Sequence, residues 1–325
     1  MAFIQTLATR IMYACILLLA VLILNFSMMH MAPGDIADTI SQTMGGADQE
    51  ILDEIRADYG LDRPFVVQLG TYIGKVLQFD LGYSFFYNQP VTKLIFQKLP
   101  ATLLLVITAQ LLALIVGVVL GVFSAQRPNG MLSHFVSFLA LFGYSAPVFW
   151  SGLLLLIGFS LLIQWFPVAG MIDVTVEGNI WVRTVDVLRH LTLPVISLAS
   201  IFLALYSRLS RATMMEVLGS DYIRTAKAKG LTDREIVYKH ALKNSLSPVI
   251  TLAGLQFSAV VSGAVLVESV FSWPGLGTLA FESIIARDTP TILGILFFSA
   301  FVVIIGNLLT DLALRLVDPR VGSKS

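Results

Sequence analysis

The chain has 325 residues, of which 56% are hydrophobic and 13% are charged, whereas about a quarter of the residues in a soluble domain are charged. Its 21 basic and 21 acidic residues give a formal net charge of zero, so no overall basic excess points to nucleic acid as a partner. This composition excludes a soluble or disordered chain and predicts an all-α, polytopic membrane protein.

Six long segments without charged residues are the candidate transmembrane helices, since a helix needs roughly 20 mostly apolar residues to cross a bilayer. They are 11–34, 99–126, 128–172, 190–207, 244–267 and 289–310. The first is longer than the apolar part of a signal peptide and no small-residue cleavage site follows it. It is therefore interpreted as an uncleaved span, and its Cys15, the only cysteine of the chain, excludes an intrachain disulfide.

The segment between spans 1 and 2 contains a predicted amphipathic helix, Asp48 to Tyr59, which ends at Gly60. We expect this segment to be a small folded extracytoplasmic domain. Two roles remain open for it, as a structural plug on the bundle or as a docking site for a soluble partner.

The third segment is long enough for two spans, and the distribution of charge decides the count. Segment 208–243 carries eight basic residues, which favours the cytoplasmic side. With six spans, this segment and both termini lie on the same side of the membrane. A seventh span, formed from the third segment, would put the 208–243 segment on the side opposite the N-terminus. We therefore predict one span kinked at Pro147, followed by an interfacial segment ending near Gln164, Trp165 and Pro167.

The cytoplasmic loop after span 4 has the signals of two helices. Ser220 is a candidate N-cap for a short helix, Asp221 to Lys229, that stops at Gly230. Thr232 and Glu235 then fit a capping box, and Leu231 precedes it as a candidate hydrophobic staple.

The first short helix presents Tyr222, Ile223 and Ala226 beside the cations Arg224, Lys227 and Lys229. A small face with a central alanine suits insertion into the groove of a partner protein. The other interpretation is a basic loop that lies on anionic lipid headgroups.

Few ionisable residues occur inside the predicted spans. Glu268 and Asp311 lie at span ends and are interpreted as caps or helix-pair contacts, with a substrate role as the alternative. The uncharged polar residues that are candidates for lining a cavity are Gln110, Tyr144, Gln256, Ser258 and Ser262, although a glutamine in a span equally suits an interhelical hydrogen bond. The four histidines are dispersed, so no metal site is predicted. Gly117 and Gly121 have the spacing that permits close helix approach.

The loop sequence DYIRTAKAKG (221–230), with LTDRE (231–235) and HALKN (240–244), resembles the EAA loop of binding-protein-dependent ATP-binding cassette permeases. Six further segments resemble the dipeptide/oligopeptide/nickel subfamily, and within it the first of its two permease subunits: MAPGD (31–35), YGLDRP (59–64), DLGYS (80–84), LPAT (99–102), FSWPGLG (271–277) and DPR (318–320). The chain departs from the general pattern at Arg224 and Thr225, where Glu and Ala are usual, and at Lys243, where Pro is common.

The resemblance implies a type I importer permease with six transmembrane helices in a bacterial cytoplasmic membrane. It implies a homologous second permease, two cytoplasmic ATPase subunits and a periplasmic or lipoprotein binding protein as partners, in addition to membrane lipid. ATPase contact is implied for Tyr222, Ile223, Arg224, Thr225, Ala226, Lys227 and Gly230, with bracing by Thr232, Glu235 and Asn244. No G-x-x-x-x-G-K-[ST] motif occurs, so ATP and magnesium are expected on the partners and the chain is not expected to be an enzyme.

The predicted organisation has four parts: 1–31, a tail and span 1; 32–98, the extracytoplasmic domain; 99–316, the permease core with its coupling loop at 208–246; and 317–325, a cytoplasmic tail. The predicted function is ATP-driven uptake of di- and oligopeptides. Nickel or another small solute is the alternative within the subfamily. A secondary transporter without an ATPase and a non-transporting scaffold are the alternatives from other classes.

Overall fold

The computed structural model describes residues 2–31, 53, 56–57 and 62–317, and this part of the chain is mainly helical. Its elements in chain order are α1 (Ala2–Met31), α2 (Phe65–Leu77), β1 (Tyr83–Ser84), β2 (Gln89–Pro90), α3 (Val91–Gln126), α4 (Met131–Ser145), α5 (Val148–Leu155), α6 (Ile180–Leu218), α7 (Asp221–Ala228), α8 (Asp233–Glu235), α9 (Leu242–Leu255), α10 (Phe257–Phe271), α11 (Leu276–Ile285) and α12 (Thr289–Val317). Two π-helical segments, Leu156–Leu162 and Ile236–Ala241, follow α5 and α8.

Each of the six predicted spans contains helix among the described residues. Among the described residues, α1, α3, α6 and α12 are long and apolar enough to cross a membrane as single helices. A fifth span is a bent pair, in which α9 and α10 meet at Gln256 and the break is bent by 51°. The remaining predicted span consists of the shorter helices α4 and α5.

The break between α4 and α5 lies at the predicted proline. Pro147 precedes the first residue of α5, and Ala146 before it is extended, with φ −91° and ψ 133°. A residue that precedes proline is disfavoured in the helical region because the proline ring collides with its backbone. The expected kink is therefore a complete interruption of the helix.

Four helices, α1, α3, α6 and α12, extend beyond the uncharged segments that predicted them. α3 begins at Val91, before the expected boundary at residue 99, and α6 begins at Ile180, so Pro194 lies inside this helix. Charged residues mark where a chain leaves the hydrocarbon, whereas a helix continues into water as long as its backbone is hydrogen-bonded. The sequence therefore located the spans and missed the ends of the helices.

The described residues form two compact units, those that fall within 1–101 and 275–304, and those that fall within 102–274 and 305–325. In the first, α1, α2, α3, α11 and α12 contribute to a core of Leu22, Val76, Leu81, Val91, Leu94, Ile95, Leu276, Leu279, Ile295 and Phe298. A two-stranded antiparallel ribbon that the sequence did not predict pairs Tyr83 with Pro90. The buried Ser84 hydroxyl donates to the Asp288 carboxylate at 2.5 Å and thereby fastens this ribbon to the residue before α12.

Several predicted features fall on residues that the structure does not describe. Most of the expected helix from Asp48 to Tyr59 lies outside the described residues, apart from Asp53, Arg56 and Ala57. Asp318 to Arg320 and most of Met31 to Asp35 also lie outside.

In the second unit, Gly117 and Gly121 pack α3 directly against α6. A β-carbon on Gly117 would lie 2.9 Å from Cβ of Tyr206, and one on Gly121 would lie 2.6 Å from Cβ of Ser210. Both distances are shorter than carbon atoms tolerate. The predicted close approach of span 2 to another helix is confirmed.

Candidate functional site

The first helix of the cytoplasmic loop, α7, begins one residue after Ser220. Ser220 occupies the N-cap position, but its hydroxyl donates backwards to the carbonyl of Val217 at 2.6 Å and caps no backbone N–H of α7. The predicted side-chain cap is therefore wrong. Asp221 in the first turn supplies the favourable negative charge at this end of the helix instead.

The C-terminal end of α7 is fixed by Gly230. This residue has φ +81°, a left-handed conformation that glycine adopts without steric cost. Its N–H donates to the Lys227 carbonyl at 2.9 Å, and the N–H of Leu231 donates to the Ala226 carbonyl at 3.4 Å. These two bonds make a Schellman motif, as expected for a helix that stops at Gly230.

The capping box that follows is confirmed. The Glu235 N–H donates to the Thr232 hydroxyl oxygen at 3.3 Å, and the Thr232 N–H donates to the Glu235 carboxylate at 3.1 Å. The Thr232 hydroxyl donates to the same carboxylate at 2.8 Å. These hydrogen bonds from Thr232 stabilise the ionised form and lower the pKa of Glu235 below its ordinary value of 4.5.

The inner face of α7 is buried in this chain's own core. Ile223 is 0% exposed and Ala226 is 8% exposed. They belong to a cluster, here called the loop core, that comprises Val122, Ala125, Met214, Ile223, Ala226, Ile236, Val237 and Ala241. The expectation that Ile223 and Ala226 are presented on the surface of α7 is wrong, because both side chains are buried on the side that faces α3, α6 and the π-helical segment.

The outer face of α7 therefore consists of other residues. Asp221, Thr225 and Ala228 are exposed and lie on one side of the helix, at spacings of four and three residues. Arg224 and Lys229 flank this row, and an exposed ion pair of 3.4 Å joins Arg224 to Asp221. Ala228 is a small residue on the outer face, and it was not among the predicted site residues. Its position three residues after Thr225 in the sequence was the signal that could have identified it.

Tyr222 and Lys227 lie at the margins of the outer face, and both are exposed. The Tyr222 hydroxyl accepts a 2.8 Å hydrogen bond from the side-chain amide of Asn244 on α9. A side-chain hydrogen bond therefore joins the second helical segment of the loop to the first one.

Two matches assign the family. The description "Binding-protein-dependent transport system inner membrane component" fits residues 117–323, and its N-terminal counterpart fits residues 3–106. The chain belongs to this family. It is therefore a multi-pass inner-membrane component of a binding-protein-dependent transport system.

This permease is similar to its relatives over nearly the whole length of both chains. The oligopeptide transport system permease protein AppB of Bacillus subtilis is 39% identical over 94% of this chain and 95% of its own. The dipeptide transport system permease protein DppB of Alkalihalophilus pseudofirmus is 36% identical over 96% and 97%. The MetNI methionine ABC transporter in an inward-facing conformation shares the fold, with a TM-score of 0.56 and 16% identity over 69% of this chain and 96% of that one.

The residues of the permease that were candidates for lining a cavity separate into two groups. Gln110 donates to the Tyr206 hydroxyl at 3.0 Å and to the Ala253 carbonyl at 3.1 Å, so it joins α3 to α6 and α9. Ser258 and Ser262 lie on an exposed face of α10, and Gln256 is partly buried at the bend. Tyr144 lies in α4, and its side chain is outside the described residues.

Glu268 of the permease makes a helix-pair contact, which is one of the two structural roles predicted for it. It is fully buried near the end of α10, and its carboxylate accepts a 2.6 Å hydrogen bond from the hydroxyl of Thr102 on α3. The side chain of Asp311 lies outside the described residues.

Proposed function

We propose that this chain is a permease subunit of an ATP-driven importer of di- and oligopeptides, and that it forms half of the translocation pathway. The relatives named as oligopeptide and dipeptide permeases support the choice of substrate, because they match nearly the whole chain. ATP hydrolysis is assigned to two partner subunits that bind ATP and magnesium. A homologous second permease and an extracytoplasmic binding protein complete the transporter.

In this proposal α7 is the coupling helix, and its outer face docks into a groove of an ATPase subunit. The observation that carries the assignment is the division of this short helix into two faces. Ile223 and Ala226 are fixed in the loop core, whereas Thr225 and Ala228 are exposed between Arg224 and Lys229. A force applied to the outer face is then transmitted through the loop core to α3 and α6, because packed interiors are stiff.

The remaining site residues hold the coupling helix in position. Tyr222 and Lys227 contact the ATPase from the margins of the outer face. Gly230, Thr232 and Glu235 fix the turn between the two helical segments, and Asn244 holds Tyr222 from α9. The eight basic residues of 208–243 favour the cytoplasmic side for this loop, and we assign both termini to the cytoplasm on this ground.

The substrate pathway is assigned to the exposed face of α10. Ser258 and Ser262 present hydroxyl groups there, and hydroxyls both donate to and accept from peptide backbones without a fixed charge. Gln256 contributes at the bend. Gln110 is assigned a structural role, since its amide is bonded to two neighbouring helices.

The test replaces Ala228 by tryptophan in the assembled transporter. Ala228 is exposed, so the chain should still fold and insert, whereas a bulky ring on the outer face should prevent docking. We expect ATP-dependent peptide uptake by proteoliposomes and stimulation of the ATPase by the permease to be lost, and Ala228→Ser to retain both. Normal uptake by Ala228→Trp would contradict the assignment of this face.

The same proteoliposomes distinguish the competing functions. Uptake of labelled dipeptides or oligopeptides, but not of nickel, is expected with binding protein and ATP present. Nickel uptake would favour the alternative within the subfamily. Uptake that needs no ATPase would favour a secondary transporter, and the absence of any uptake by the complete assembly would favour a scaffold.

A further inference from the structure

One turn of α6, residues 210–214, is attached to several neighbouring helices at the base of the cytoplasmic loop. The hydroxyl of Ser210 donates to the Val118 carbonyl of α3 at 3.3 Å. The hydroxyl of Thr213 donates to the Ser245 carbonyl of α9 at 3.1 Å. We call residues 210–214 the α6 contact turn, because these side chains join α6 to the second and the fifth span.

The α6 contact turn also packs against the coupling helix. Met214 is 0% exposed and belongs to the loop core, together with Ile223 and Ala226 of α7. Because packed interiors transmit strain, a displacement of α7 acts on this turn of α6. The second and fifth spans then receive the displacement through the hydrogen bonds of Ser210 and Thr213.

Arg211 connects the same turn to the third span. Its Nη1 donates to the Ser137 hydroxyl of α4 at 3.0 Å, and its Nη2 donates to the Pro128 carbonyl at 3.2 Å. Pro128 lies in the turn between α3 and α4. A guanidinium forms charge-assisted hydrogen bonds, which are stronger than neutral ones. One side chain therefore fixes both α4 and the turn before it to α6.

The guanidinium of Arg211 is not a freely hydrated surface group. Arg211 is only partly exposed, and its Nε is buried with no hydrogen-bond partner among the described residues. An arginine near the end of a span ordinarily keeps its charged group in water. Arg208 lies three residues earlier on α6 and is exposed. The same helix thus carries one hydrated arginine and one that is held against α4.

We propose that Arg211 is a positioning residue that transmits displacement of the coupling helix to the third span. This span is divided at Pro147 into α4 and α5, so the displacement is received by α4, a helix of 15 residues. The inference rests on the proposed function of α7 as the coupling helix. It adds the contact through which the third span follows the second and the fifth.

The test measures hydrogen exchange in the complete transporter in lipid nanodiscs, before and after a non-hydrolysable ATP analogue is added. In the native chain we expect the analogue to change exchange rates several-fold in 131–137 and in 242–250. Arg211→Met removes both hydrogen bonds and should abolish the change in 131–137. The change in 242–250 should persist, because the bond between Thr213 and Ser245 remains.

Arg208→Met is the matched control. It removes the same charge from the same helix, but Arg208 is exposed, so both changes in exchange should persist. In proteoliposomes, Arg211→Met should retain ATPase stimulation, because α7 still docks, and should import several-fold fewer peptides per ATP hydrolysed. Arg211→Lys retains a charged donor and should partly restore this ratio. A defect in folding alone would lower hydrolysis and uptake in parallel.

Three results would overturn the proposal: no ATP-dependent change in 131–137 of the native chain, persistence of that change in Arg211→Met, or loss of the changes in both regions. If Arg211→Met does not assemble, Ser137→Ala removes an exposed hydroxyl and should weaken the change in 131–137, and an undiminished change would refute the proposal. An Arg211-dependent change in a transporter that imports no peptide would contradict only the proposed function.

Discussion

The side-chain amide of Asn244 donates a 2.8 Å hydrogen bond to the phenolic oxygen of Tyr222. This contact connects α7 to α9, which are separated by a turn, α8 and a π-helical segment. Tyr222 lies beside Ile223, whose side chain is fixed in the loop core. The coupling helix is thus held from one side by packing and at its margin by a directed bond.

Removing this bond should loosen α7 without unfolding the protein. We expect Asn244→Ala and Tyr222→Phe to raise the hydrogen-exchange rates of the amides in 221–228, and the double variant to resemble either single variant. That non-additivity is expected when two side chains act only through each other. Additive increases in the exchange rates would show that the contact does not couple the two residues.

Gly230→Val should uncouple ATP hydrolysis from uptake. A β-branched residue is strained at φ +81°, at a cost of roughly 1–3 kcal/mol, so the turn that positions α7 relaxes. Gly230→Asn is the matched control, because asparagine tolerates the left-handed conformation. We expect ATPase stimulation and peptide transport to fall in the valine variant and to persist in the asparagine variant. Unchanged transport in Gly230→Val would refute the role of this turn.

The capping box predicts a pH dependence of the loop. Because the folded-state pKa of Glu235 lies below its ordinary value of 4.5, its contribution to stability is complete above that value. The contribution is lost as the pH falls through the folded-state pKa. Amide exchange in 232–236, corrected for its intrinsic pH dependence, should therefore accelerate below pH 4.5 in the native chain, and Glu235→Gln should abolish this step. If exchange in Glu235→Gln accelerated by the same amount below pH 4.5, a titrating group other than Glu235 would be responsible.

Gly121→Ala should destabilise the permease although alanine is the better helix former. The new methyl group would lie 2.6 Å from Cβ of Ser210, so α3 and α6 must separate, at a cost of roughly 1–3 kcal/mol. Gly74→Ala in α2 is the control, since no described atom outside the adjoining part of its own helix lies within 4 Å of the added β-carbon. Thermal unfolding in detergent should show a lower midpoint for the first variant only. Equal midpoints would mean that the α3–α6 contact relaxes freely.

The sequence predicted those features whose physical cause is local. The Schellman turn at Gly230 and the capping box of Thr232 and Glu235 depend on residues within one turn of each other, and both are present. The break at Pro147 follows from the clash of proline with the residue before it.

Features that depend on tertiary packing were not predictable. Which side of α7 faces outward is decided by the distant residues Val122 and Met214 of the loop core, so Ile223 and Ala226 were placed on the wrong side. The ribbon at Tyr83 to Pro90 depends on the bond between Ser84 and Asp288, which are separated by 204 positions. Gln110 could likewise be assigned to a helix–helix contact only once its hydrogen-bond partners on the neighbouring helices were known.

The π-helical segment Ile236–Ala241 sets the rotational phase of the helix that follows it. A π-helical turn accommodates one residue more than an α-helical turn, and one residue corresponds to about 100° of rotation. If the six residues of this segment formed α-helical turns instead, each would contribute more rotation, and Asn244 would turn away from Tyr222 while the capping box stayed in place. The π-helical geometry of this segment thus determines how the fifth span is rotated relative to the cytoplasmic loop.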